Sequence, residues 1–439
     1  MRIGVRRYGG AILRRLGLRP TPAVPASPPA PAPLAGWVDE VSRFHIAGWV
    51  SDAGAPTVKQ RYTVRLADTG EVLAEGGADQ FHYAALGQGG GDGTNGFYAR
   101  FSRPLPPEAL ARLEIVAGAN GQRIERAASV RDEYQPVMFI AGDIVDNCNL
   151  RCPFCLYDYS GTHTTHFMTE ETIAAALRFL PFVTDGNFWF SCLHEPTLHP
   201  KLVAFIDKVP REYRRKIFYT TNLAKRMPPS YYQWLGNSGL HHINVSIESR
   251  TPAIYERMRK GARFRIFQES WDALVAALAA GEAPPRLRYI AMVYKSNLRE
   301  LPDLVAYLLA ERGAAEVELR FTFDVAHLPP AFRTEEFLDP EEWLWLRDQV
   351  SGYPAEQVQL ILPPGLGGTR EVLPRVFLAG RYECRLSWDG TLAVNRYWAV
   401  PYEGNPEDQR ILTANVRDIP DVPEFLRELA ARETGSPTR

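Results

Sequence analysis

Asp146-Asn147-Cys148-Asn149-Leu150-Arg151-Cys152-Pro153-Phe154-Cys155 gathers three of the five cysteines of this 439-residue chain into eight positions, spaced C-x3-C-x2-C. Three thiols this close cannot all pair as disulfides, but they can converge on one soft metal centre. Iron–sulfur clusters take cysteine thiolates, usually four, so three local ligands leave one iron open to a group that is not a protein side chain. A structural zinc site is the other reading, with His163 or His166 as the fourth ligand. The apolar run Val137-Met138-Phe139-Ile140-Ala141-Gly142-Asp143-Ile144-Val145 directly before it reads as a strand. The cysteines then sit on the loop leaving the strand's carboxyl end, where α/β proteins bind ligands.

Around this stretch, 134–325 alternates strand and helix. Strands are expected at 137–145, 187–192, 215–221, 241–248, 286–294 and 315–323. Helices are expected near 169–180, 200–209, 229–236, 251–260, 265–280 and 299–312, the first capped by Thr169. The pattern predicts an α/β fold with a parallel sheet, a partial (β/α)6 barrel.

Cys148, Cys152 and Cys155, with aromatic Phe154 before the last, resemble the cluster loop of the radical S-adenosylmethionine enzymes. That resemblance implies a [4Fe-4S] cluster on the three thiolates and S-adenosylmethionine on the fourth iron. Reductive cleavage of the sulfonium would then yield a 5′-deoxyadenosyl radical that abstracts hydrogen from the substrate. Further stretches, each at an expected strand end, are similar to the family in the same order. Cys192-Leu193-His194-Glu195-Pro196 resembles the Gly-Gly-Glu-Pro segment that holds the cofactor's amino group, with His194 where a glycine is usual. Thr221-Asn222-Leu223 resembles Thr-Asn-Gly. Ser246-Ile247-Glu248-Ser249 resembles Ser-Ile-Asp-Ser, with Ser246 facing the cofactor carboxylate or ribose. Arg259 matches an arginine donated to that carboxylate. The resemblance thus implies Phe154, His194, Glu195, Pro196, Asn222, Ser246, Glu248 and Arg259 as cofactor-side residues, and an electron donor such as flavodoxin or ferredoxin as partner.

The flanks differ. Residues 1–34 hold six arginines and no acid before position 20, then seven prolines between Pro20 and Pro33. They read as a disordered basic tail, or an amphipathic anchor on anionic lipid, followed by an extended linker. Residues 35–133 carry short β-rich runs with turn signals and predict a small antiparallel β-sandwich. It resembles modules of bacterial glycan-biosynthesis proteins, with Trp37 and Trp49 as core residues. Gly87 to Gly93 lacks a following Lys-Ser/Thr and is no phosphate cradle.

In 326–439 a helix is expected at 340–350, and Tyr382–Val394 reads as a hairpin turning at Asp389-Gly390. This short α+β tail resembles the start of the cysteine-rich SPASM/Twitch tail of many family members. Cys384 stands alone there, and one thiolate cannot hold an auxiliary cluster, so the tail is expected to be degenerate. Cys384 and Cys192 are the cysteines left over as candidate catalytic hydrogen donors. Cys384 is favoured, on the expectation that the tail covers the barrel mouth.

The 45% apolar and 23% charged composition is that of an ordinary globular protein, and the net charge of −1 gives no global case for nucleic acid. Unpaired, clustered cysteines fit a reducing cytoplasm, and no apolar run is long enough to span a bilayer. The expected substrate is a carbohydrate, nucleotide-sugar or glycan-linked molecule undergoing epimerisation or another redox-neutral change in polysaccharide biosynthesis. Modification of a peptide and a non-enzymatic metal-binding scaffold are the alternatives.

Overall fold

The computed structural model describes residues 34–43, 45–80, 82, 85, 93–101, 105–126, 135–161, 164–363, 366, 377–398 and 409–433. The basic tail, the proline-rich linker, most of the glycine-rich turn and His163 lie outside these.

The first eight strands are short: β1 (Ala35–Val41), β2 (His45–Ser51), β3 (Arg61–Leu66), β4 (Val72–Gly77), β5 (Gly96–Arg100), β6 (Leu113–Ala117), β7 (Gln122–Arg123) and β8 (Glu125–Arg126). They form two four-stranded sheets, ordered β5-β2-β1-β8 and β4-β3-β6-β7. Alternate residues such as Val38, Val50, Val64, Phe97 and Ile115 point inward and build one apolar cluster. Trp37 and Trp49, expected in that core, stand opposite each other on β1 and β2, next to the inward Val38 and Val50. Adjacent strand residues face opposite ways, so both rings lie on the outer face, where Trp49 is covered and Trp37 is 38% exposed.

Ten strands make the main sheet: β9 (Val137–Gly142), β10 (Phe188–Trp189), β11 (Ile217–Thr221), β12 (His242–Ser246), β13 (Arg286–Met292), β14 (Glu316–Arg320), β15 (Val358–Ile361), β16 (Phe377–Leu386), β17 (Thr391–Trp398) and β18 (Arg410–Asn415). Their order is β15-β14-β13-β12-β11-β10-β9-β16-β17-β18. Neighbours from β15 through β9 to β16 run parallel, and β17 and β18 return antiparallel. The helices between strands include α1 (Glu170–Leu177), α2 (Leu202–Asp207), α3 (Pro229–Gly236), α4 (Pro252–Met258), α5 (Phe264–Ala280), α6 (Leu301–Glu311), α7 (Pro330–Glu336) and α8 (Pro340–Val350), with α9 (Val422–Glu433) at the end. Thr169 Oγ1 caps α1 by accepting from Thr172 N at 3.2 Å.

The parallel order and intervening helices are as expected, and two details differ. The second strand shrinks to Phe188–Trp189, because Cys192 N turns back to donate to Gly142 O at 2.9 Å. Among the described residues, the tail's hairpin lies in the wall of the sheet and not over its mouth. It turns at Gly390 (φ +89°), and β16 lies beside β9, with Cys384 in register with Ile140. The tail therefore extends the wall of the sheet.

Strand alternation gives this sheet two unlike faces. Toward the helices stand Ile140, Phe188, Ile217, Tyr219, Ile243, Val245, Leu287, Tyr289, Val317 and Leu319, all in one buried apolar cluster. The opposite face carries Phe139, Trp189, Phe218 and His242 at one level, with Trp189 stacked on Phe218 (5.4 Å) and Phe218 on His242 (4.1 Å). Toward the carboxyl ends this second face turns polar with Thr220, Asn244, Glu318 and Arg320.

Candidate active site

The loop after β9 folds back on itself. Arg151 N donates to Lys260 O at 2.8 Å, tying the loop to the segment after α4. Cys155 N donates to Cys152 O at 3.1 Å, and Cys148 Sγ accepts from Leu150 N at 3.4 Å and Asn222 Nδ2 at 3.5 Å. N–H donors on sulfur are what a thiolate ligand needs to spread its charge. Burial pushes the Cys148 thiol up to about 11 and the Cys152 thiol up to about 12, and raises that of Cys155. All three lie within electrostatic reach of the Arg259 guanidinium, which favours their ionised forms.

This donor set fits an iron–sulfur cluster: three thiols on one loop, N–H groups on one sulfur and a cation nearby. It does not fit the zinc alternative as well. His166 is engaged elsewhere, with Nδ1 at 2.5 Å from Asp146 Oδ2 and its ring stacked on Trp388 at 4.5 Å. Among the described residues, no three His, Cys, Asp or Glu side chains close on a point as a single ion requires.

The expected cofactor-side residues gather around this loop. Glu195 follows β10 and is 2% exposed, and its backbone N donates to Asn147 O at 3.3 Å. Its side chain is already in use. Oε1 accepts from Thr197 N (3.2 Å), Thr197 Oγ1 (2.6 Å) and Thr221 Oγ1 (2.9 Å), while Oε2 accepts from Asn222 N (2.8 Å). Burial raises the Glu195 carboxyl, and these bonds oppose the shift. The residue is a clip between the ends of β10 and β11. Pro196 opens the short 3-10 turn that Glu195 caps.

Asn222 links that clip to the cysteines, since its Nδ2 also donates to Asn149 Oδ1 at 2.9 Å. Leu223, where the resemblance has glycine, holds φ +49°. The backbone thus keeps a left-handed conformation that costs a side-chain-bearing residue about 1–2 kcal/mol.

Ser246 closes β12 and is 9% exposed. Glu248, fully buried, accepts from Arg259 Nε and Nη2 at 2.5 Å each. Burial opposes the charge of Arg259, but Glu248 outweighs it and the pKa rises. The guanidinium also lies over the Phe154 ring, 5.4 Å from its centre, and Phe154 packs with Met258, Tyr294, Leu328 and Phe332. Arg259 is therefore bound bidentately to Glu248 while remaining beside the thiols.

His194 Nδ1 lies 2.7 Å from Tyr159 Oη, and burial lowers its pKa to about 4, so the ring is neutral at pH 7. Sequence reasoning missed Asp143. Its Oδ1 accepts from Cys192 N and Leu193 N at 3.0 Å each, and burial pushes its carboxyl up to about 7. It holds the turn in which His194 replaces glycine. The signal was present as the one charged residue inside the run 137–145.

The two spare cysteines part company. Cys384 is 1% exposed and belongs to the helix-side apolar cluster, on the opposite face from its neighbours Glu383 and Arg385. Burial pushes its thiol up. The geometry does not bring it to the site. Cys192 is partly exposed, and its thiol, raised by burial to about 12, lies within electrostatic reach of Asp143, Arg385, Glu383 and Arg320. In a flat sheet Arg320 and Arg385 would stand six strand spacings apart, about 29 Å. The segment after β14 reaches back to the loop after β9, with His327 Nε2 2.8 Å from Cys155 O and with Leu328 and Phe332 packed on Phe154, so the sheet curls into a partial barrel.

A parallel sheet curled around a polar chamber, with a three-thiolate loop at its carboxyl end, defines a metal-cluster enzyme of the barrel class. Residues 143–308 match the family model described as the radical SAM superfamily. The chain carries that domain and is a radical S-adenosylmethionine enzyme; its cofactors are a [4Fe-4S] cluster and S-adenosylmethionine, and enzymes of this family act on a substrate with the help of a reductant.

Among curated proteins the chain is similar to a GTP 3′,8-cyclase of Cyanothece sp., 26% identical over 322 residues, covering 67% of this chain and 90% of that one. It is also similar to a probable GTP 3′,8-cyclase of Methanocaldococcus jannaschii, 23% identical over 168 residues, covering 37% of this chain and 52% of the relative. Several further relatives of that name are likewise matched over about half their length. Among solved structures it is similar to Streptococcus suis SuiB bound to S-adenosylmethionine, with 12% identity, a TM-score of 0.48 and coverage of 68% and 67% of the two chains. No described helix is long and apolar enough to cross a membrane.

Proposed function

We propose that the chamber receives a small hydroxylated substrate, a carbohydrate, nucleotide-sugar or glycan-linked molecule, and that hydrogen is abstracted from one of its C–H bonds with a redox-neutral outcome such as epimerisation. The observation that carries this reading is the polar inner wall beneath the cluster loop. Trp189 Nε1 and Asn244 Nδ2 both donate to Thr220 Oγ1, at 3.1 and 3.2 Å. Arg288 pairs with Glu316 at 2.5 Å and Arg320 with Glu318 at 3.1 Å. Asn244 Oδ1 and His242 Nε2 are buried without a partner, which costs free energy unless a ligand satisfies them. Such a wall suits hydroxyl, amide and charged groups. The names of the curated relatives, which act on GTP, favour a sugar-bearing molecule over a peptide.

In this reading Cys148, Cys152 and Cys155 hold the cluster, and the cofactor lies along Phe154, His194–Pro196, Asn222, Ser246 and the Glu248–Arg259 pair. When bound, the two cofactors supply a hydrogen-abstracting radical. The chain's own residues set the geometry. The Glu195 clip fixes the turn that faces the amino group through its backbone. Arg259, steered by Glu248, offsets the charge of the thiolates. The aromatic tier of Phe139, Trp189 and Phe218 closes the far end of the chamber to water.

Cys192, on the chamber side, replaces Cys384 as the candidate hydrogen donor. The tail, residues 326–439, serves as wall without an auxiliary cluster. The paired sheets of 35–133 form a separate module on the glycan side, and the basic N-terminal segment makes peripheral membrane contact.

The test is anaerobic reconstitution, reduction by flavodoxin, and incubation with S-adenosylmethionine and a panel of deuterated nucleotide-sugars. Deuterium in 5′-deoxyadenosine supports the reading. Transfer only from a peptide would redirect it, and a colourless protein that makes no 5′-deoxyadenosine would remove it.

A further inference from the structure

We propose that Asn297, in the turn that leaves β13, is a positioning residue for the cluster: its side chain holds Arg259 and Tyr294 against Phe154, and so fixes the Arg259 charge beside the cluster loop. This role is independent of which substrate the chamber takes.

Asn297 is fully buried. A buried carboxamide offers one acceptor oxygen and two N–H donors, and each must find a partner. Oδ1 accepts from Tyr294 N at 2.8 Å, and Nδ2 donates to Met292 O at 2.9 Å. Those two bonds close the turn itself. Nδ2 also donates to Glu248 O at 2.8 Å, 49 residues earlier in the chain and just past the end of β12. The turn does not need that bond. It locks together the exits of β12 and β13.

Two lines of contact run from there to the cysteines. The Glu248 carboxylate accepts from Arg259 Nε and Nη2 at 2.5 Å each, and the guanidinium carbon lies 5.4 Å from the centre of the Phe154 ring. The Tyr294 ring lies 5.1 Å from the same ring, with its hydroxyl 2.5 Å from Thr322 Oγ1. Phe154 stands between Cys152 and Cys155 in sequence, and Cys152 packs on the apolar cluster that Phe154 forms with Tyr294 and Met258. Arg151 N, donating to Lys260 O at 2.8 Å, ties the loop to the residue after Arg259. Both lines start at one carboxamide and end on one ring.

A cation held close to an iron–sulfur cluster favours the reduced form, which carries one more negative charge. Loss of the bond to Glu248 O frees the backbone that carries the carboxylate aiming Arg259. Asn297→Ala leaves two carbonyls without a donor, and Asn297→Asp sets a carboxylate oxygen against them. In either variant the guanidinium leaves its place and the cluster becomes harder to reduce.

The test is a redox titration of the reconstituted full chain, without substrate, followed by electron paramagnetic resonance. Asn297→Ala and Asn297→Asp should shift the midpoint potential to more negative values with iron content retained. Asn297→Ser, whose hydroxyl can keep one donated bond, should shift it less. Arg259→Gln should give the largest shift, and adding Asn297→Ala to it should move the potential no further. Lys216→Met is the control for stability. It removes a buried side chain that donates to Val183 O at 2.6 Å at the amino end of the sheet, and it should lower the melting temperature without moving the potential. The proposal is overturned if the Asn297 variants keep the parent's potential, or if their shift adds in full to that of Arg259→Gln. It is also overturned if even Asn297→Ser fails to fold or folds without binding iron, which would make the residue part of the scaffold alone.

Discussion

The two faces of the main sheet are made by the same strands, yet they share little. On the helix side, residues such as Ile243, Tyr289 and Leu319 are fully buried among apolar neighbours. One residue along each strand, Asn244, Arg288 and Arg320 face the chamber and keep polar atoms without protein partners. Apolar burial is concentrated on one face and unpartnered polar atoms on the other. A one-residue slip of register would exchange them, which is why alternation along the strands constrains this fold so tightly.

Substitutions can break or sharpen that contrast. The largest effect is expected at the cluster loop. Cys152→Ala should lose nearly all iron after anaerobic reconstitution, measured by metal analysis and the brown chromophore. The melting of the metal-free chain should shift little. Helix-side and ion-pair changes come next. Ile243→Ala should cost about 2–5 kcal/mol in urea unfolding, through lost burial and a cavity. Glu248→Gln should cost about 3–5 kcal/mol, because Arg259 is left buried without its carboxylate. Its chamber-side counterpart, Asn244→Ala, should change stability by only about 1 kcal/mol, since the lost Nδ2 bond to Thr220 Oγ1 is offset by removal of the buried, unpartnered Oδ1.

A pH dependence follows from the turn behind β10. The His194 pKa is lowered to about 4 by burial, so its contribution to stability is present above about 6.5, its unfolded value, and lost as pH falls toward 4. The Asp143 carboxyl is raised to about 7, so its contribution is full below about 4 and lost as pH rises through 7. Asp143→Asn should therefore gain stability relative to the parent between pH 5 and 8 in parallel thermal melts. The smallest effect concerns the spare thiols. Native-state alkylation by iodoacetamide, read by mass spectrometry, should label Cys192 and leave Cys384 unlabelled, and Cys384→Ala should cost about 1 kcal/mol.

Much of this was legible before any coordinates. The cluster cysteines, the order of parallel strands and the helices 229–236 and 340–350 follow from local signals, and local signals survive in a single sequence. What was not legible depends on pairing between distant residues. Nothing in Tyr382–Leu386 announces that it will lie against Val137–Gly142, so the tail was expected over the mouth, and Cys384 with it. Its facing direction was set only by that register. Glu195 and Arg259 were found by spacing, but spacing does not reveal that Thr221, Asn222 and Glu248 already occupy their side chains.

The placement of β16 against β9 also dictates an order of events during synthesis. As the ribosome extends the chain, β9 presents an open hydrogen-bonding margin while some 240 further residues are made. Only when β16 emerges can that margin close. The iron-binding loop thus hangs from a strand whose outer side is completed late.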